Sequence, residues 1–183
     1  MTTDPQPASV YDLAHEEEPE NLATFAVLVD NEPGVLHRLV GLFAARGYNI
    51  ESLTVAETDR RAHTSRVTIV TRGTPHVLAQ IEAQLEKMVS TRHVQDVTRD
   101  PHGLERELAL VKVRGTGADR VEALRVGDIF RARVIDTTHE SFVFEITGAP
   151  TKIDSFVELM RPLGLVEVSR TGVLSIQRGV EAL

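Results

Sequence analysis

Residues Val29 to Val55 read VDNEPGVLHRLVGLFAARGYNIESLTV, a strand-like run joined to a helix-like run by the polar turn Asn31, Glu32, Pro33 and Gly34. Beyond the turn, Val35, Leu36, Leu39, Val40 and Phe43 recur at helical spacing and leave His37, Arg38 and Arg46 for the other side, which predicts an amphipathic helix ending near Arg46. Gly47 follows, free to adopt the positive φ that closes off the last carbonyls. Upstream, LATFAVLVD from Leu22 is apolar at almost every position, which predicts a strand buried on both faces and ending at Asp30. Downstream, a strand is expected from Ile50 to about Glu57.

Working outward, the polar TDRRAHT separates that strand from SRVTIVTR, where Val67 and Ile69 alternate with Arg66 and Thr68 as in a hairpin partner. Pro75 opens a second helix with the stripe Val77, Leu78, Ile81, Leu85 and Met88, and TRHVQDVT reads as a strand. The order is βαββαβ, the ferredoxin-like pattern. It returns after RDPHG with a strand at ELALVKVRG, a short helix from Val121 to Ile129 and a hairpin from Arg131 to Gly148. A helix then starts near Thr151 with the stripe Ile153, Phe156, Val157 and Met160, and LVEVSRTGVLSIQR supplies one final strand. The expected organisation is a disordered acidic tail over residues 1–21, a first unit over 22–98, a linker at 99–104 and a second unit over 105–183. The fold class is therefore α+β, two ferredoxin-like units in tandem. Such small units have little core of their own, so self-association through edge strands is expected.

Composition sets outer limits. A chain of 183 residues without cysteine has no disulfide or thiolate metal site, and a reducing, cytoplasmic location is the simplest expectation. No apolar run reaches membrane-spanning length. A net charge of -7, a pI near 5.5 and 4% aromatic residues weigh against nucleic-acid binding, which needs a positive face and stacking rings.

Catalytic patterns are missing from the sequence. The seven histidines are scattered without metal-ligand spacing, and no nucleophile elbow, phosphate loop or paired-carboxylate motif appears. VRGTGADR imitates part of a dinucleotide fingerprint through Gly115 and Gly117, but Arg120 stands where the third glycine belongs and a hairpin follows, so a simple turn is expected. The turn at Asn31 to Gly34 has two readings. A helix N-terminus offers unpaired N–H groups and partial positive charge to an anion, and Gly34 lets one approach closely. Equally, Asn31 caps the turn, Pro33 presets φ and Gly34 relieves strain, which on local physics is the stronger reading. Asn49 divides the same way, between tolerance of an unusual backbone angle after Gly47 and an amide facing a ligand. The two asparagines flank one helix at opposite ends, so they meet at one small ligand only across a two-fold interface.

The segment NEPGVLHRLVGLFAARGYNIESLTVAETD, and above all GLF..RGYNIESLTVA, resembles the N-terminal ACT domain of the acetolactate synthase (acetohydroxyacid synthase) small regulatory subunit. SRVTIVT, QIEAQLEKMV, ERELALVKV, IFRARVIDTT and LVEVSRTGVLSI extend the resemblance from about Leu22 to near Arg178. It implies a non-catalytic subunit that activates a thiamine-diphosphate-dependent transferase and transmits feedback inhibition by valine or another branched-chain amino acid. Thiamine diphosphate, Mg2+ and FAD are expected in the large catalytic subunit and no cofactor in this chain. The resemblance further implies a homodimer through ACT domains, with the effector held by Asn31, Gly34, Val35 and Leu36 of one chain and by Asn49 and Ile50 of the other. His37 departs from the smaller residue the family usually carries, which bears on effector preference. A stand-alone tandem ACT amino-acid sensor is the alternative. An RNA-binding ferredoxin-like module is the rival from another class, and SRVTIVT lacks the stacking aromatics it would need.

Overall fold

The computed structural model describes residues 18–59 and 61–180, so most of the 1–21 tail reading lies outside the described residues. The first unit comprises β1 (Asn21–Asp30), α1 (Val35–Arg46), β2 (Ser52–Asp59), β3 (Thr64–Gly73), α2 (Pro75–Glu86) and β4 (Thr91–Asp96), with sheet order β2-β3-β1-β4. The second comprises β5 (Gly103–Arg114), α3 (Gly117–Phe130), β6 (Arg133–Thr137), β7 (Ser141–Gly148), α4 (Pro150–Met160), β8 (Leu165–Arg170) and β9 (Leu174–Gln177), with sheet order β6-β7-β5-β8. All pairings are antiparallel, and each unit is the expected α+β ferredoxin-like sandwich.

The alternation of strands decides what each sheet buries. Odd residues of β1, Phe25, Val27 and Val29, pack with Leu39 and Phe43 of α1 and with Ile81 and Leu85 of α2, all at most 1% exposed. In the second unit Val111 and Val113 meet Phe144, Phe156 and Met160, and Phe144 lies edge-on to Phe156 with centroids 5.8 Å apart. Each such side chain contributes about 1.5–3 kcal/mol on burial. The helix stripe read for α1 is wider than the face it packs: Val35, Leu39 and Phe43 are buried, while Leu36 and Val40 remain 40% and 37% exposed.

The second unit corrects the sequence reading in three places. α3 starts at Gly117, not Val121, because its polar first turn carries no apolar periodicity. β5 starts at Gly103, inside the stretch read as the 99–104 linker, because its first four residues pair with β9. The expected single final strand is two, β8 and β9, since Gly172 at φ 82 breaks the extended run between them. β8 pairs the middle of β5 and β9 pairs its beginning. That beginning and β9 lie over the open face of the first sheet, where Gln95 Nε2 donates to Gln177 Oε1 at 3.3 Å. Thr24, Ala26 and Thr68, which point away from α1 and α2, are accordingly buried.

Candidate functional site

The strand-to-helix turn is pinned from three sides. Asp30 N–H donates to Ser90 O at 2.9 Å, Asn31 N–H to His63 O at 2.7 Å and Glu32 N–H back to Asp30 O at 2.9 Å. Gly34 then takes a left-handed conformation, φ 86 and ψ -4, and acts as N-cap of α1 with no side-chain cap. This overturns the reading of Asn31 as a cap: its Nδ2 donates instead to Glu57 Oε1 on β2, at 3.4 Å. Val35 N–H turns back onto Glu32 O at 3.3 Å. The first-turn amides of Leu36 and His37 have no partner among the described residues. α1 carries no acidic residue in its first turn, and Arg38 stands beside it, 3.6 Å from Glu32 and hydrogen-bonded to Ser90 Oγ at 2.7 Å. An uncapped helix start with free N–H groups, partial positive charge and a nearby guanidinium suits a carboxylate. A Cβ built on Gly34 meets only Arg38, at 3.9 Å, so the approach is open and glycine serves the backbone angle.

The helix exit carries the other residues that the sequence singled out. Gly47 at φ 69 receives the positive angle, its N–H donating to Ala44 O and Phe43 O, as its position after Arg46 predicts. Asn49 has no positive φ, so the backbone-tolerance reading of that residue fails. Its carbonyl accepts from Thr71 Oγ1 at 2.6 Å and its exposed Nδ2 donates to Glu51 Oε1 at 3.0 Å. Ile50 packs partly against the core. Val35 is 8% exposed, its side chain in the core, which leaves Leu36 as the accessible apolar side chain on the first lip. The structure groups Asn31, Gly34 and Leu36 at one end of α1 and Asn49 and Ile50 at the other. Twelve helical residues separate the ends by about 18 Å, too far for one small ligand to bridge within a chain. Glu57, the partner of Asn31, was not foreseen from sequence, because a contact between a turn and a strand 26 residues away leaves no local signal.

A family model for the AHAS small subunit-like ACT domain matches residues 25–93, and one for the small subunit of acetolactate synthase matches 106–179. The probable acetolactate synthase small subunit of Archaeoglobus fulgidus is 45% identical over 156 residues, covering 85% of this chain and 96% of that protein. The chain belongs to the acetolactate synthase small-subunit family. The isozyme 3 small subunit of Escherichia coli is 44% identical over 155 residues, covering 84% of this chain and 94% of the relative. The crystal structure of the acetolactate synthase small subunit from Thermotoga maritima superposes with a TM-score of 0.77 at 36% identity, covering 88% of this chain and 99% of that one. The small-subunit family match spans both units, so the tandem arrangement and its ACT domain are those of the family. No helix among the described residues is long and apolar enough to cross a membrane.

Proposed function

We propose that this chain is a regulatory subunit that activates a thiamine-diphosphate-dependent acetolactate synthase large subunit and makes it sensitive to valine or another branched-chain amino acid. The observation that carries the reading is the uncapped start of α1 at Gly34, with two unpartnered amides, paired in function with an exit lip at the far end of the same helix. Two chains related by a two-fold axis bring the start of one α1 to the exit of the other. The apolar residues Leu36 and Val40, exposed in the single chain, suit burial by a second copy.

In this site the effector carboxylate takes the Leu36 and His37 amides at Gly34. The helix field contributes about 0.3–1 kcal/mol, and each hydrogen bond to a charged group about 1.5–3 kcal/mol. Asn31 of one chain and Asn49 of the other bind the ammonium through their amide oxygens, while Leu36 and Ile50 receive the branched side chain. Val35, its side chain in the core and its N–H on Glu32 O, shapes the turn behind the site. Thiamine diphosphate, Mg2+ and FAD belong to the catalytic subunit in this reading, and this chain contributes no catalytic group. Effector binding acts by favouring one arrangement of the dimer, and with it one state of the catalytic partner.

Gly34→Asp tests the site directly, because it puts a carboxylate where the effector's belongs. Reconstituted with the large subunit, the variant should activate normally and lose valine inhibition. Unchanged valine sensitivity would sink the assignment. A stand-alone sensor would instead bind valine without stimulating the large subunit.

A further inference from the structure

The two units meet where β2 runs beneath Thr171, Gly172 and Val173, the segment between β8 and β9. Ser52 and Thr54 are two residues apart on β2 and so share its open face. Ser52 Oγ accepts from Val173 N–H at 3.2 Å, and Thr54 Oγ1 donates to Thr171 O at 3.4 Å. Between these bonds Gly172 sits at φ 82, and a Cβ there would lie 2.4 Å from Ser52 Oγ and 2.9 Å from Thr54 Oγ1. Glycine is therefore required twice, for its backbone angle and for the closeness of the approach.

Each side of this contact is tied to a larger element. Thr171 N–H donates to Leu108 O at 3.0 Å, and Leu108 N–H donates to Thr171 Oγ1 at 3.2 Å, so the segment is fixed to β5, the central strand of the second sheet. The preceding residue, Arg170, is held between Glu107 and Asp154. On the other side, Ser52 is three residues beyond Asn49 in the sequence. Glu51 N–H donates to Val70 O at 2.8 Å, and the Asn49 side chain holds that of Glu51. Beside the contact lies a cleft of about 480 Å³ whose walls come from both units, among them Leu22, Glu51, Val70, Glu107 and Arg170.

We infer that Ser52, Thr54 and Thr171–Val173 form the joint through which effector occupancy at Asn49 is passed to the second unit. The inference rests on the amino-acid site proposed above. An effector ammonium bound to Asn49 Oδ1 reorients the side chain whose Nδ2 holds Glu51, and so shifts the start of β2. Both hydroxyl bonds cross this contact, so the second unit either follows the shift or loses them. The cleft gives it room to tilt. Packed contacts of this kind switch between discrete arrangements and do not deform continuously.

The test uses the holoenzyme reconstituted with full-length chain carrying Ser52→Ala and Thr54→Ala, whose half-buried hydroxyls lie outside both apolar cores. Valine affinity, measured by calorimetry on the small subunit, should stay within about threefold, and activation should persist. The valine concentration for half-inhibition should rise by at least about tenfold. Unchanged inhibition would overturn the joint, and so would loss of binding together with inhibition, which would put the hydroxyls in the site itself. In the unmodified protein, valine should alter hydrogen exchange at the Val173 amide, and an unaltered rate also counts against the joint. Failure of valine, leucine and isoleucine alike to bind or inhibit the unmodified holoenzyme would instead remove the amino-acid site, a separate result.

Discussion

The strand-to-helix turn of the first unit and its counterpart in the second occupy the same place in one fold and differ in charge. At the first, α1 begins on left-handed Gly34 with no acidic residue in its opening turn and Arg38 close by. At the second, α3 follows Thr116 with Asp119 in its opening turn, and the hollow beside it is lined by Arg114, Asp119 and Glu140. Asp119 stands inside the opening turn and opposes an anionic ligand there, whereas Glu32, beside the first turn, precedes its helix and is paired with Arg38. Duplicating an architecture therefore does not duplicate a site. The backbone supplies a helix start each time, and the few side chains around it decide what can bind.

The comparison can be pressed hardest through glycine. Gly164 in the second unit and Gly34 in the first both have positive φ, 95 and 86, so a β-carbon meets similar backbone strain at each. At Gly164 it would also fall 2.0 Å from Arg114 O, whereas at Gly34 it meets only the far end of Arg38. Gly164→Ala should cost about 3 kcal/mol or more, and Gly34→Ala about 1 kcal/mol, in urea unfolding. Equal losses would show that the approach to Gly34 is as closed as that to Gly164, in the connection between α4 and β8.

Next in size is Arg170→Ala, which leaves Glu107, 4% exposed, without its bidentate partner. The arginine is itself about a third exposed, so the expected loss is about 2 kcal/mol, below the range for a fully buried pair. Hydrogen bonding to Glu107, and secondarily to Asp154, raises the Arg170 pKa against its partial desolvation. With the folded value above the unfolded one, its stabilisation is complete below the unfolded pKa and lost only in strong alkali, so its titration should leave stability flat at neutral pH. A neutral-pH dependence abolished by Arg170→Ala would contradict this.

Asn31→Ala should remove only a long, exposed bond to Glu57 and leave the unfolding free energy within about 0.5 kcal/mol. Valine sensitivity should fall by about tenfold, equivalent to about 1.4 kcal/mol. A stability loss without a sensitivity loss would return Asn31 to a purely structural role. The smallest effect is expected at Lys112→Ala, which breaks an exposed ion pair with Glu167 on the open face of the second sheet. The thermal midpoint and valine response should both stay within error.

Apolar spacing made the two βαββαβ units legible, because alternation in strands and three-to-four spacing in helices are imposed by the same sheets that bury them. It misjudged elements where burial was not the determinant. The polar first turn of α3 left no periodic trace, and LVEVSRTGVLSIQR hid a break because Gly172 answers to Ser52, 120 residues away. At the candidate site the residue types were legible and their partners were not: Asn31 reaches Glu57, not the helix, and Leu36 and Val40 belong to no intramolecular core.

By itself the sequence determined the pattern of elements, the glycines that punctuate α1, and a segment specific enough to imply an ACT-type regulatory subunit. Tertiary structure decided what no local rule contains: that α1 starts uncapped, that its two ends stand too far apart to share a ligand within one chain, and that the second unit rests on β2 beside Asn49. Local patterns record which face of each element is apolar, whereas hydrogen bonds between distant segments depend on where the packed chain brings them together.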